Sequence, residues 1–92
     1  MTMTVEVTAE PTRNEHSVIF QLNKDLIPPG TGLPFANAEQ AESHPLAKAL
    51  FQIPGVSSIW ILGNEVQVTK ADDMRWGSLK SKIIETIKRL ES

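Results

Sequence analysis

The sequence has no cysteine among its 92 residues. Without cysteine there is no disulfide framework, no thiolate to ligate a metal ion and no thiol nucleophile. Chemistry that depends on sulfur ligands or on a reactive thiol is therefore excluded for this chain acting alone. We expect the protein to carry no cofactor of its own.

Long apolar runs and an excess of charge are also absent. The longest apolar run covers residues 59–62, far too few to cross a bilayer. The first four residues, MTMT, have neither the basic region nor the apolar stretch of a secretory signal. A net charge of -2 gives no electrostatic reason to bind nucleic acid. We therefore expect a cytoplasmic protein that binds neither nucleic acid nor membranes.

What is present fits one small domain spanning residues 1–92. This length lies near the lower limit at which a single hydrophobic core suffices without disulfides or metals. The hydrophobic fraction of 40% is enough to build that core, and the charged fraction of 22% is ordinary for a soluble domain.

Two alternating patterns predict strands in the N-terminal part. Met3, Val5 and Val7 alternate with polar residues, and residues 11–14 (PTRN) interrupt the pattern with turn-forming types. A second alternation places Val18, Phe20 and Leu22 on one face and Ile19 and Gln21 on the other. The connection permits antiparallel pairing but leaves the register open. Residues 24–37 are rich in proline and glycine and predict a long loop, with residues 33–36 as a candidate edge strand.

A helix is predicted to begin at Pro45, which suits the first turn because its missing N–H would have no partner there. Ser43 or His44 is the candidate cap. Pro54 and Gly55 predict the end of the helix. Helical spacing predicts a buried face made of four residues: Leu46, Ala49, Leu50 and Ile53.

A β-hairpin follows, with Gly63 and Asn64 as a two-residue turn of type I′ or II′. This turn predicts four cross-strand pairs: Leu62–Glu65, Ile61–Val66, Trp60–Gln67 and Ile59–Val68. The register places all the β-branched residues on one face of the sheet and Trp60, Leu62 and Gln67 on the other.

The last predicted helix begins near Asp72 or Asp73, either of which suits a cap. Its apolar stripe comprises Trp76, Leu79, Ile83, Ile87 and Leu90, with Trp76 expected in the core. The order of elements predicts an α+β fold of two layers, with a largely antiparallel sheet of about four strands and two helices on one face.

Residues 45–56 (PLAKALFQIPGV) resemble the N-terminal domain of the Nfu/NifU-type iron–sulfur scaffold proteins. Residues 66–70 (VQVTK), the pair Asp72 and Asp73, Trp76 and the opening stretch 11–24 add to the resemblance, which covers roughly residues 10–91. The sequence departs from the family in its opening turn and in His44, which is inserted between the serine and the proline of the helix start.

The resemblance implies the fold and an accessory or docking role in cluster assembly. Longer members of the family carry a second domain with a Cys-x-x-Cys motif that holds the cluster. This chain has no such motif, so we expect a free-standing N-terminal domain that acts through protein partners and binds no cluster itself.

Other chemistry finds little support in the residues. His16 and His44 lack the paired spacing of a zinc site, and capping explains Asp72 and Asp73 better than a cation does. The serines lack an evident base and orienting group. We therefore expect neither a metal site nor enzymatic activity.

Trp60 is the strongest candidate for a partner-binding residue, together with Leu62 and Gln67 beside it. If one sheet face packs on the helices, these residues lie on the open face, where exposed aromatics favour interaction. Alternatively, the loop of residues 24–37 covers Trp60 and makes it part of a minor core. The alternative function is a stand-alone module, unrelated to cluster assembly, that binds peptides or itself through a strand edge. A third class, a small-ligand binder or enzyme, requires a deep pocket with converging polar groups.

Overall fold

The computed structural model describes residues 5–28 and 30–91. Met3 and Pro29, which the sequence places in a strand and in the loop, lie outside the described residues. The described elements in chain order are β1 Val7–Pro11, β2 Ser17–Leu22, β3 Gly32–Phe35, α1 Pro45–Phe51, β4 Val56–Leu62, β5 Glu65–Lys70 and α2 Trp76–Glu91.

The strands form one antiparallel sheet in the order β1-β2-β5-β4-β3. The α+β fold predicted from the sequence is confirmed. The described part of the chain has five strands rather than about four, because the candidate edge segment pairs with β4 from Gly32 to Phe35.

The β4–β5 hairpin has the predicted register in all four pairs. Gly63 has a φ of 58°, and every residue with a positive φ in the described ranges is a glycine. Asn64, the second central residue of the turn, therefore has a negative φ. A positive φ at the first central position alone is the geometry of a type II′ turn. The turn also meets β2, because the amide nitrogen of Leu22 donates to the carbonyl oxygen of Asn64 at 2.9 Å.

The first strand is shifted relative to its predicted position. It pairs with β2 from Val7 opposite Leu22 to Pro11 opposite Val18. Val5 is buried but precedes the strand, and Pro11 is the last strand residue rather than an interruption. Alternation marks which side chains are buried but not where the partner strand begins, and an edge strand tolerates a terminal proline.

The two helices pack on the face of the sheet that carries the β-branched residues. Side chains from both layers form one buried cluster, which includes Phe20, Ile59, Ile61, Val66, Val68, Leu46, Leu50, Leu79, Ile83 and Ile87. The prediction that hairpin register and helix periodicity build one core is confirmed by this cluster.

The first helix is capped by His44, whose Nδ1 accepts a hydrogen bond from the amide nitrogen of Ala47 at 3.3 Å. Its buried face differs from the prediction. Ala47 is fully buried and Ala49 is only half-buried, while Ile53 follows the helix end and is half-buried. The reason is that α1 contacts both β4 and α2, so that its covered surface is not a single stripe.

The last helix begins at Trp76, and the prediction of Asp72 or Asp73 as its cap is wrong. Asp72 instead pairs with His16, with 3.0 Å between Oδ1 and Nε2. Trp76 donates from Nε1 to the carbonyl oxygen of Glu15 at 2.8 Å and is half-buried against the core. Contacts with the β1–β2 connection therefore hold the residues before the helix, and local capping preference cannot reveal such contacts.

Leu90 is 41% exposed, so the predicted apolar stripe does not extend to the end of α2. The buried residues of the helix are Leu79, Ile83, Thr86 and Ile87. Periodicity gives the direction of a side chain around a helix, but it does not show whether another element lies opposite it.

Candidate partner-binding surface

The sheet face opposite the helices carries the three candidate residues. We define this open face by the strand positions that alternate with the core positions: Thr8, Glu10, Ser17, Ile19, Gln21, Gly32, Pro34, Ser58, Trp60, Leu62, Glu65, Gln67 and Thr69. Trp60 lies in a row between Pro34 and Gln67, and Leu62 lies in the next row between Gly32 and Glu65. The register therefore brings Trp60, Leu62 and Gln67 together near the centre of the face.

Trp60 and Leu62 are exposed, at 46% and 38% of their surface, and Gln67 is half-buried. The alternative in which the loop of residues 24–37 buries Trp60 is therefore wrong. Residues 32–35 of that segment form β3, which widens the sheet by pairing with β4 in the plane of the sheet and does not cross its open face. A role of the three residues in binding a partner stays a prediction.

The absence of a side chain at Gly32 leaves room for the Trp60 ring. A Cβ atom at residue 32 would lie 2.8 Å from Nε1 of Trp60 and 3.6 Å from Cδ1 of Leu62. At the first distance, any residue other than glycine would force the Trp60 ring to shift. Glycine inside a strand commonly marks such a close approach. The indole consequently lies directly against the backbone of β3.

We expect Gly32→Ala to displace the Trp60 ring while leaving the core intact. The added methyl group collides with Nε1, so the indole must turn away from β3. The measurement is the chemical shift of the Trp60 indole N–H, with the methyl shifts of Ile61 as a report on the core. An unchanged indole shift in Gly32→Ala would show that the ring does not depend on this contact.

The surface has two depressions next to Trp60, one on each side of its ring. The larger is an open cleft of about 310 Å³, lined by Pro34, Phe35, Ala36, Ser58, Ile59, Trp60, Gln67 and Thr69. The smaller is a pocket of about 40 Å³, lined by Ile19, Trp60, Leu62, Glu65 and Gln67. None of the residues that line the cleft is titratable, whereas the pocket has one carboxylate, Glu65.

The charged side chains of the open face are all acidic. Its strand positions include Glu10 and Glu65 and no lysine or arginine. Neither carboxylate forms an ion pair within residues 5–28 and 30–91, where the pairs are His16–Asp72 and Lys24–Glu91. The exposed cations Lys82, Lys88 and Arg89 belong to α2, in the other layer. The open face therefore presents apolar surface with unpaired negative charge.

The histidines and acidic residues do not assemble into a metal site in the described part of the chain. No group of three or more histidine or acidic side chains there could hold an ion. His44 caps α1, and His16 contacts Asn14 and Asp72. Among the serines, Ser17 pairs its hydroxyl with that of Thr69 at 2.9 Å.

Four residues that surround Trp60 were not predicted as site residues from the sequence: Ile19, Gly32, Pro34 and Glu65. Ile19, Gly32 and Pro34 meet Trp60 through the pairing of β2 with β5 and of β3 with β4, which are distant in the chain, whereas the predicted hairpin register already places Glu65 opposite Leu62. A glycine directly before the candidate edge strand of residues 33–36 was the one local signal available.

Across residues 5–28 and 30–91, none of the helices has the length and apolar character needed to cross a membrane.

Known proteins share both the sequence pattern and the fold. The chain matches the family described as scaffold protein Nfu/NifU N terminal over residues 7–92. It is 36% identical over 84 residues to NifU-like protein 5, mitochondrial, from Arabidopsis thaliana, covering 91% of this chain and 30% of that protein. It is 27% identical over 81 residues to the mitochondrial NFU1 iron-sulfur cluster scaffold homolog of Drosophila virilis, covering 88% of this chain and 27% of that protein.

A solved structure agrees with these matches. The solution structure of a NifU-like protein from Saccharomyces cerevisiae superposes with a TM-score of 0.83 and 26% identity, covering 94% of this chain and 77% of that chain. This chain spans less than a third of the length of the two relatives above. By the extent of the family match and the shared fold, the chain belongs to the Nfu/NifU scaffold protein family and corresponds to its N-terminal domain.

Proposed function

We propose that this domain serves iron–sulfur cluster assembly as a non-catalytic interaction module that binds a protein partner on its open face and no cluster itself. The observation that carries the proposal is the exposed pair Trp60 and Leu62, held at the centre of a sheet face that the helices leave uncovered. Large apolar side chains at such positions are typical of interaction surfaces, since an exposed strand has no packing need for them. Membership of the Nfu/NifU family supplies the cellular context.

The surface chemistry supports binding rather than catalysis. The larger cleft beside Trp60 is open and is lined by residues without an acid or a base. Catalysis by proton transfer requires a titratable group within reach of the substrate. An apolar cleft beside an exposed aromatic ring fits a side chain of another protein better than it fits a reacting ligand.

The edges of the sheet favour the face over the edge as the docking site. Edge strand β3 contains Pro34, which has no N–H to donate, and edge strand β1 ends at Pro11. Proline at an edge reduces the capacity to pair with a further strand. This weakens the main support for the alternative module that binds peptides or itself by strand addition.

Affinity capture tests the proposal. We expect the wild-type chain to retain iron–sulfur assembly proteins from a native lysate, and Trp60→Ala to lose them. Leu90→Ala, which removes an exposed apolar side chain from the helix layer, should retain them. Capture of no cluster-assembly protein, or equal capture by wild type and Trp60→Ala, would contradict the proposal.

Reconstitution tests the claim that the chain itself holds no cluster. We expect the purified protein to stay colourless after incubation with iron and sulfide. The reason is that cysteine thiolates hold the common clusters, and even histidine-containing types keep two cysteines. Stoichiometric bound sulfide together with a cluster absorption band, in the absence of any partner, would overturn this claim.

The cytoplasmic location expected from the sequence stays a prediction. The two relatives described above are named as mitochondrial proteins. We propose that the domain acts in whichever compartment holds its cluster-assembly partner, and microscopy of the tagged native protein locates it.

A further inference from the structure

The small pocket beside Trp60 combines three kinds of wall. Ile19 and Leu62 supply apolar sides, the indole of Trp60 supplies an aromatic side, and Glu65 supplies a carboxylate. Glu65 is half-buried and has no basic partner among the residues that the structure describes. An unpaired carboxylate next to an exposed aromatic ring leaves an unfilled place for a cation.

We propose that the partner presents an arginine side chain to this pocket, with its guanidinium group against the Trp60 ring and paired with Glu65. This inference rests on the proposed function and names the chemistry of the partner. The pocket volume of about 40 Å³ holds only a few water-sized groups, since each needs roughly 10–15 Å³. That is the scale of a small planar head group and not of a whole ligand.

Arginine fits these walls better than lysine does. A guanidinium group is planar, stacks on aromatic faces and pairs with a carboxylate through two parallel hydrogen bonds. It is also more weakly hydrated than an ammonium group, so that leaving water costs it less. The aliphatic stem of the arginine covers Ile19 and Leu62, which are otherwise partly exposed.

The larger cleft sets the spacing of the partner segment. It extends along β4 from Trp60 toward Ser58, whereas the pocket extends from Trp60 toward Leu62. Along β4 the two depressions are therefore about two residues apart, roughly 6.6 Å, and across the sheet the cleft reaches β3 whereas the pocket reaches β2. An extended segment points alternate side chains to one side at this same spacing. An extended partner segment that lies along β4 thus fills the two depressions with an apolar residue and an arginine separated by one residue.

The charge distribution disfavours an acidic partner and leaves one competing occupant. The open face has carboxylates and no cation on its strands, so an acidic segment or a phosphate group meets only repulsion there. A second copy of this chain brings cations on α2, which include Lys82 and Arg89. The dependence of the Trp60 resonance on protein concentration without peptide distinguishes this occupant from a separate partner.

A titration followed by NMR tests the inference with the full chain. The probes are two blocked nine-residue peptides of serine, threonine and glycine that contain one leucine and one arginine separated by one residue, in either order. The readout is the indole N–H resonance of Trp60, identified by its loss in Trp60→Phe. We expect a saturable shift of this resonance with at least one peptide.

Paired substitutions then locate the arginine. Glu65→Gln in the protein and arginine to glutamine in the peptide should each weaken binding about fivefold, the upper range for a partly exposed ion pair. The two losses should not add when combined, because both remove the same contact. The matched control is Glu10→Gln, a carboxylate of the same face on β1, which should change affinity less than twofold. Unfolding midpoints of both variants check that the fold is intact.

Three outcomes of the peptide titrations overturn the inference: no shift with either peptide, equal losses for Glu65→Gln and Glu10→Gln, or additive losses in the combined experiment. A shift that depends on protein concentration without peptide assigns the face to a second copy, which also overturns it. Capture of assembly proteins that Glu65→Gln does not weaken leaves the proposed function in place and removes only the arginine. Arginine recognition without capture of assembly proteins keeps the arginine site and contradicts the proposed role in cluster assembly.

Discussion

Replacing Ile61 with alanine is expected to lower the free energy of unfolding by roughly 2–5 kcal/mol, and Ile83→Ala by a similar amount. Both side chains are fully buried, one on the sheet and one on α2, and they belong to one cluster. Truncation removes buried apolar surface and leaves a cavity that the surrounding side chains fill only in part. Chemical denaturation measures both losses.

The neighbouring residue on the same strand is the matched control. Leu62 differs from Ile61 by one position but points to the open face, where it is 38% exposed. Leu62→Ala is therefore expected to change stability by less than about 1 kcal/mol, as at other surface sites. Losses below about 1 kcal/mol for both Ile61→Ala and Ile83→Ala would show that the assigned core is wrong.

Trp60→Ala is expected to separate binding from stability. Because the side chain is 46% exposed, its removal should cost no more than about 1 kcal/mol of folding free energy. Binding of the partner should weaken by around 2 kcal/mol, or about 30-fold, as at an aromatic hot spot. The unfolding midpoint gives the first quantity, and titration of the purified partner gives the second.

Leu90→Ala serves as the control for this experiment. It removes an exposed apolar side chain from α2, which lies in the other layer, and should leave both quantities nearly unchanged. A stability loss of roughly 3–5 kcal/mol in Trp60→Ala, the range for a buried aromatic, would instead make Trp60 a structural residue. Equal weakening of binding by both variants would remove the open face as the binding site.

The exposure of Trp60 depends both on the local hairpin turn and on the long-range pairing of β3 with β4. The Gly63–Asn64 turn predicts the face of each hairpin residue, because a two-residue turn leaves one register and side chains alternate strictly along a strand. Whether anything covered that face depended on residues 24–37, whose proline and glycine content predicts a loop without giving its path. The pairing of Gly32–Phe35 with β4 left the face over Trp60 open, because it places these residues at the edge of the sheet.

The sequence by itself determined the class of fold, the hairpin register, the place of α1 and the absence of any thiolate ligand. Each of these follows from residue type or from interactions among residues close in the chain. Only the tertiary structure decided the start of α2, the exposure of Leu90 and the approach of Ile19 and Gly32 to Trp60. These features depend on pairing between segments distant in the chain, which local propensity does not encode, so only the assembled sheet shows which side chains meet.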